Sequence, residues 1–194
     1  MGKNKADIPE EPKDAAALLG YLRIVAIAPD LFRGAILLTD LRGKPRDFRC
    51  TSAIKPNAIQ RILYGGTLSE HMALDLCGLP LLKALPVQPS VMLVDRPDLF
   101  VLRPQTDIPM LWLRRQSEIQ PQGRPDVGGD AELVASEGGL FETVLASGHA
   151  EHGGDLPKTA EWVRQIAQAL DPLEPFSRIE AALKLVQDKA GQGR

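Results

Sequence analysis

The sequence predicts an α+β fold with a largely antiparallel sheet that is covered by C-terminal helices. Three observations lead to this class: strand-like runs come first, capped helical patterns and further strands follow, and two amphipathic helices end the chain. With 194 residues, of which 44% are apolar, the chain is long enough to bury a hydrophobic core.

The first three strands are predicted to form an antiparallel meander. Residues 21–28 and 46–52 alternate between polar and apolar side chains, whereas residues 34–39 form a continuous apolar run, as in a strand buried on both faces. Glycine and proline punctuate the intervening loops, most clearly between Asp40 and Pro45. Each strand is therefore expected to pair with the next one along the chain.

Helices and further strands are predicted for the middle of the chain. Pro56 suits the first position of a helix that ends near Tyr64, and Thr67 with Glu70 has the spacing of a capping box for a second helix. Strand patterns then resume. The predicted strands are 90–95, 99–103 and 109–115.

Two amphipathic helices are predicted at the C-terminal end. One apolar stripe runs from Ala160 to Leu170, and a second helix begins at Asp171, which is followed by proline and, at the third helical position, glutamate. We expect both helices to cover the chain's own sheet, because an apolar sheet face needs a partner. Docking on another protein is the alternative.

One domain is predicted over residues 14–188, between a disordered lead at 1–13 and a frayed tail at 189–194. A loop rich in proline, glycine and glutamine is predicted at residues 116–130. No apolar run is long enough to span a membrane, and the N-terminal residues lack the apolar region of a signal peptide. We therefore expect a soluble, cytoplasmic protein without membrane contact.

Motifs for catalysis or cofactor binding are not found. Cys50 and Cys77 lie in apolar patterns and are interpreted as buried thiols. His149 and His152 are separated by three positions, but the glycines around them favour a solvated loop over a metal site. Neither a glycine-rich nucleotide-binding loop nor a serine-nucleophile elbow is present. The sequence thus names no catalytic residue, no metal ligand and no cofactor, and we lean against enzymatic activity.

Charge is unevenly distributed along the chain. Residues 41–61 hold six basic side chains and one acidic side chain, whereas residues 116–157 hold one basic and eight acidic side chains. Either the two segments complement each other within the fold or a homo-oligomer, or the basic segment attracts an anion such as phosphate. Both interpretations stay open.

The densest polar stretch joins the third predicted strand to the first helix, between Phe48 and Gly66. A strand end followed by a helix start gathers hydroxyl and backbone N–H groups, and helix N-termini favour anions. The alternative is that these side chains only build the turn. The candidate anion- or partner-binding residues are Arg46, Arg49, Thr51, Ser52, Lys55, Asn57 and Arg61.

The order of the first elements, a meander followed by a helix and a later strand, resembles the start of a ribonuclease-H-like domain. The resemblance implies a metal-dependent nuclease, which holds two divalent ions with acidic residues at strand ends. Here the first strand has no acidic residue over 22–28, while Asp40 ends the second strand and Asp95 the fourth. The same element order is also similar to small regulatory modules of the longin or roadblock type.

The leading prediction is a non-catalytic interaction or accessory subunit of a larger assembly, with a protein partner or a homo-oligomer. It rests on the missing catalytic motif and on the separate basic and acidic segments. The alternative is a nucleic-acid-binding or nucleic-acid-processing protein that uses the basic segment 42–61. A third hypothesis is a metal-dependent hydrolase, which needs Asp40 and Asp95 close enough to share ions about 4 Å apart.

Overall fold

The computed structural model describes residues 17–119 and 129–192, with side chains up to residue 189. The predicted N-terminal lead at 1–13 lies outside the described residues. So do most of the predicted loop at 116–130 and the end of the predicted tail.

A seven-stranded mixed sheet lies at the centre of the described residues, in the spatial order β3-β2-β1-β4-β5-β7-β6. β4 pairs parallel with both β1 and β5, and the other neighbours pair antiparallel. The strands are β1 (Leu19–Ala28), β2 (Leu31–Thr39), β3 (Pro45–Cys50), β4 (Val91–Val94), β5 (Met110–Arg115), β6 (Ala131–Val134) and β7 (Val144–Gly148).

Helices cover both faces of this sheet. A π-helical segment, Met72–Gly78, joins the second helix to the third, and a 3-10 segment, Pro97–Gln105, joins β4 to β5. No helix within the described ranges is long and apolar enough to cross a membrane. The helices are α1 (Ala58–Tyr64), α2 (Leu68–His71), α3 (Leu79–Lys83), α4 (Asp155–Ala169) and α5 (Glu174–Gln192).

Two apolar cores lie on opposite faces of the sheet, because successive side chains of a strand point to opposite sides. Leu19 and Tyr21 of β1 enter the core that contains α4 and α5, where Tyr21 meets Phe176 edge to face with ring centroids 5.3 Å apart. Leu22 enters the other core, together with Cys77 of the π-helical segment. The predicted fold class is confirmed, and so is the packing of the C-terminal helices on the chain's own sheet.

The prediction of a strand at residues 99–103 is wrong. These residues belong to the 3-10 segment, in which Leu99, Phe100 and Leu102 are buried. Proline lacks the N–H that a central strand needs, and Pro97 and Pro104 lie at the two ends of this stretch. The apolar run therefore reflects burial under the sheet rather than pairing within it.

Candidate nucleic-acid interface

The carboxyl ends of β4 and β5, together with Arg23 in the middle of the neighbouring β1, border a polar cleft of about 410 Å³. In open sheets this is the end at which ligands bind. The α4–α5 connection and the first turns of α5 form the opposite wall. The charged lining residues are Arg23, Asp95, Arg114, Arg115, Glu118, Asp171 and Glu174.

Arg23 of β1 is the centre of an ion-pair cluster at this cleft. Its Nε lies 2.8 Å from Oδ2 of Asp95, and its Nη1 lies 3.3 Å from Oε2 of Glu180 on α5. The strand register brings Arg23 and Asp95 together. Leu22 of β1 lies opposite Val94 of β4, and Arg23 and Asp95 are the next residues of these two parallel segments. A basic side chain thus lies directly after the last paired residues of β1 and β4.

Asp95 is largely withdrawn from solvent, with 17% of its side chain exposed. Burial raises the pKa of its carboxyl group above the ordinary value, and the positive charges of Arg23 and Arg96 offset only part of this rise. Its Oδ1 atom is buried and has no hydrogen-bond partner among the described residues.

β5 contributes two arginines in different surroundings. Arg115 forms a two-pronged ion pair with Asp171, in which Nη1 donates to Oδ1 over 3.1 Å. The guanidinium of Arg114 lies over the ring of Trp112, 4.2 Å from its centroid, in a cation–π contact. Within the described ranges Arg114 has no ion-paired carboxylate, and its Nε is buried without a hydrogen-bond partner.

Arg46, the first of the sequence-predicted site residues, lies far from this cleft. It is the second residue of β3, and its Nη2 contacts Oδ2 of Asp40 at 3.0 Å. The same carboxylate accepts the backbone N–H groups of Arg42 and Lys44 at 2.9 and 3.0 Å. This hairpin lies beside the amino end of β1, whereas the cleft contains Arg23 from the middle of β1.

Arg49 and Thr51 lie at the other end of β3. Arg49 contacts the neighbouring Asp47, with Nε 2.8 Å from Oδ2. The Thr51 hydroxyl accepts the backbone N–H of Gly34 over 3.1 Å, and its carbonyl oxygen accepts a bond from Arg33 over 2.8 Å. Thr51 therefore stabilises the strand end.

Asn57 begins α1 as its N-cap in a capping box with Gln60. The Asn57 side chain accepts the Gln60 N–H over 2.8 Å, and the Gln60 side chain accepts the Asn57 N–H over 2.9 Å. Arg61 pairs with Asp30 at 2.9 Å. The basic members of the predicted set thus divide between two ends of the sheet, and their role in binding stays a prediction. The two further members, both exposed, are Ser52 and Lys55.

The hydrolase hypothesis fails on distance. Asp40 follows Thr39, which is level with Leu19, whereas Asp95 lies beside Arg23. Along the strand direction, the positions of Asp40 and Asp95 differ by about five residues, or roughly 16 Å. The two carboxylates therefore cannot share a two-metal centre. Nor do any three His, Cys, Asp or Glu side chains within the described ranges group to hold a metal ion.

Comparison with known proteins adds information on the fold. No protein-family model matches the sequence, and no curated protein matches it. The chain is similar to endonuclease V of Ciona intestinalis, solved with a 24mer DNA containing an inosine followed by a ribo-adenosine, at 14% identity and a TM-score of 0.50, over 88% of this chain and 87% of that chain. Human ENDOV is 11% identical with a TM-score of 0.49, over 93% and 89%. At such identities the likeness concerns the fold alone.

The prediction of a non-catalytic accessory subunit is wrong by this comparison. The solved structure that matches with a TM-score of 0.50 is an endonuclease V in complex with DNA. The alternative prediction, a nucleic-acid-binding or nucleic-acid-processing protein, agrees better with these findings.

Sequence reasoning missed the three arginines of the cleft. The position of Arg23 could have been noticed in the sequence. It follows Leu19 and Tyr21 in the alternation of β1, so a charged side chain stands where an apolar core residue is expected. Arg114 and Arg115 end a predicted strand, but without knowledge of the strand order nothing places them beside Arg23.

Proposed function

We propose that this chain binds nucleic acid in the cleft at the carboxyl ends of β4 and β5, beside Arg23 of β1. The observation that carries the proposal is Arg114, a residue that borders the cleft at the end of β5 and has no ion-paired carboxylate within the described residues. Contacts of arginine and lysine with phosphates supply most of the affinity of proteins for nucleic acid. A guanidinium also matches a phosphate with two parallel hydrogen bonds. The endonuclease-like fold supports the same class of ligand.

The charge balance of the cleft is compatible with an anionic backbone, although acidic side chains line it. Three of the four lining carboxylates have an arginine partner, and the fourth, Glu118, accepts a backbone N–H. Arg114 then remains as a cation that a phosphate can neutralise. The pairs are Arg23–Asp95, Arg115–Asp171 and Arg178–Glu174.

The contact between Arg114 and Trp112 favours this role. A long arginine side chain loses conformational freedom when it binds a phosphate. Stacking on the indole ring already restricts Arg114, with 4.2 Å between the guanidinium carbon and the ring centroid. Less freedom is then lost on binding, so the same hydrogen bonds give a higher affinity.

A cytoplasmic location is part of the proposal. A protein partner or a homo-oligomer stays a prediction from the sequence, as does the basic segment 42–61 as a second contact surface. The structure leaves Lys55 exposed in that segment.

The experiment is fluorescence anisotropy with labelled single-stranded DNA, duplex DNA and RNA of one sequence, over a series of salt concentrations. We expect binding whose log Kd rises linearly with log salt concentration. Arg114→Ala should weaken binding and reduce the slope by about one phosphate contact. The matched control is Arg164→Ala, which removes an arginine on α4 that pairs with Glu132 and Glu161.

Two outcomes would count against the proposal: no binding to any of the three ligands at low salt, or an affinity that salt does not change. A double variant, Arg49→Ala with Lys55→Ala, separates the two surfaces. If it abolishes binding while Arg114→Ala leaves the affinity unchanged, the contact lies on the basic segment instead of the cleft.

A further inference from the structure

We infer that the guanidinium of Arg23 takes the place that a nuclease of this fold class would give to a divalent cation, so that the cleft binds a phosphate backbone without a metal ion. The inference rests on the proposed function, because it concerns the ligand of the same cleft. It explains why β1 carries an arginine beside the end of β4.

The contacts of Arg23 are those expected of a cation that two carboxylates share. Asp95 comes from the end of β4, and Glu180 comes from α5 on the opposite wall, with ion-pair distances of 2.8 and 3.3 Å. The carbonyl oxygen of Phe176 accepts a further hydrogen bond from Nη1 over 3.1 Å. Three oxygen acceptors, one at the end of β4 and two on α5, thus surround one guanidinium.

The residues present do not fit the metal that the resemblance implies. A pair of divalent ions needs several carboxylates at the strand ends, and β1 supplies a cation there instead. Asp40 lies at the far end of the sheet, and no three potential ligands group within the described part of the chain. A divalent ion next to Asp95 would also face the positive charge of Arg23 at close range.

Arg23 retains donors for a ligand while it holds the two carboxylates. A guanidinium has five N–H donors, and the contacts named above use its Nε and Nη1 atoms. The two N–H groups of Nη2 remain for a phosphate oxygen. With 27% of its side chain exposed, Arg23 is accessible from the cleft.

The first test compares binding of a labelled oligonucleotide by the unmodified protein in EDTA and in Mg²⁺ at equal ionic strength. We expect equal affinities. Arg23→Gln should weaken binding in EDTA about tenfold, the effect of one charge-assisted hydrogen bond. Binding that appears only with Mg²⁺ would overturn the inference and leave the proposed function intact. Absence of binding under both conditions would instead overturn the proposed function.

The second test asks whether Arg23 occupies a metal position, and it needs no nucleic acid. Arg23→Asp places a third carboxylate beside Asp95 and Glu180, and we expect it to bind Mn²⁺, seen as loss of the electron paramagnetic resonance signal of free Mn²⁺. The control is Arg164→Asp, which also places a carboxylate between two others, Glu132 and Glu161, but on an exposed helix face.

Each result of these tests decides the inference. Mn²⁺ binding by Arg23→Asp above the level of Arg164→Asp supports it, and equal binding by the two variants contradicts it. Saturable Mn²⁺ binding by the unmodified protein at the cleft also contradicts it. If the Asp variant does not fold, the comparison of EDTA with Mg²⁺ on the unmodified protein still gives the answer.

Discussion

Arg103 and Asp155, 52 residues apart in the sequence, form a two-pronged ion pair that is largely withdrawn from solvent. Nε and Nη2 of Arg103 donate to the two carboxylate oxygens over 2.5 and 2.9 Å, and the Met110 N–H donates to Oδ2 over 3.0 Å. Only 13% of the Arg103 side chain and 4% of the Asp155 side chain are exposed. The pair therefore joins the 3-10 segment, the start of β5 and the start of α4.

Asp155→Asn should lower the free energy of unfolding by about 3–5 kcal/mol, because it leaves the Arg103 charge in the interior without a counter-ion. Chemical denaturation monitored by circular dichroism measures this change. The control is Glu161→Gln, which alters an exposed ion pair on the same helix and should cost less than about 1 kcal/mol. Equal effects of the two variants would contradict the role given to Asp155.

The stabilisation from Asp155 should also depend on pH. Burial alone raises the pKa of this carboxyl group, but hydrogen bonds from Arg103 and from the Met110 N–H, together with the Arg103 charge, bring the pKa below the ordinary value for aspartate. A lowered folded-state pKa stabilises the fold fully above the unfolded pKa, and the effect is lost as the pH falls through the folded value. The difference in stability between the unmodified protein and Asp155→Asn should therefore shrink below about pH 4.

Gly78→Ala should destabilise the fold by about 1–3 kcal/mol, although alanine favours helices. A Cβ at this position would lie 2.4 Å from both methyl carbons of Leu102 and 2.5 Å from the Ala73 carbonyl oxygen. The melting temperature measures the effect. Gly66→Ala is the control, because its Cβ would meet no atom within 4 Å, so its melting temperature should hardly change.

The two thiols should react at very different rates with a water-soluble disulfide reagent at neutral pH. Cys77 is fully buried, and burial raises the pKa of its thiol to about 11, so almost no thiolate is present. Cys50 is partly exposed at the end of β3. We expect one thiol to react in the native protein and the second only after unfolding. Cys50→Ser should abolish the fast reaction, and a fast phase that persists in this variant would contradict the assignment.

Asn57→Ala should loosen α1 without changing global stability. The substitution removes the capping box, a loss of about 1 kcal/mol. Since α1 buries none of its residues, the loss should remain local. Amide hydrogen exchange of residues 58–64 should become faster while the melting temperature stays constant. Ser52→Ala provides the control, with unchanged exchange expected. A clear fall in melting temperature for Asn57→Ala would show that α1 contributes to the global fold.

The elements were predictable where local patterns determine them. The stripe from Ala160 to Leu170 and the capped start at Asp171 gave both C-terminal helices, and alternation or continuous burial gave the first three strands. The strand at 99–103 was misread because a short buried apolar run looks the same in a strand and in a 3-10 segment. The pattern of apolar residues indicates which side chains are buried, but burial alone does not determine whether the backbone forms a strand or a 3-10 helix.

The cleft was less predictable than the elements, because its residues meet through strand order. Arg23 and Asp95 are neighbours only because β1 pairs parallel with β4, a pairing between distant segments that no local pattern encodes. The basic segment 42–61 could be identified from its excess of arginine and lysine residues. Its arginines nevertheless bond to their own neighbours, as Arg49 does to Asp47, since nearby carboxylates are available at little entropic cost.

The parallel pairing of β1 with β4 has a kinetic consequence. β1, β2 and β3 pair through short turns and can associate as soon as they are synthesised, whereas β4 reaches β1 only after the whole stretch between Ala28 and Val91 has been closed into a loop. Contacts between distant segments form late in folding. A chain with only its meander formed would thus already contain two of the six neighbouring strand pairs of the described sheet and yet have no cleft. The cleft is therefore complete only after the distant strands β1 and β4 have paired.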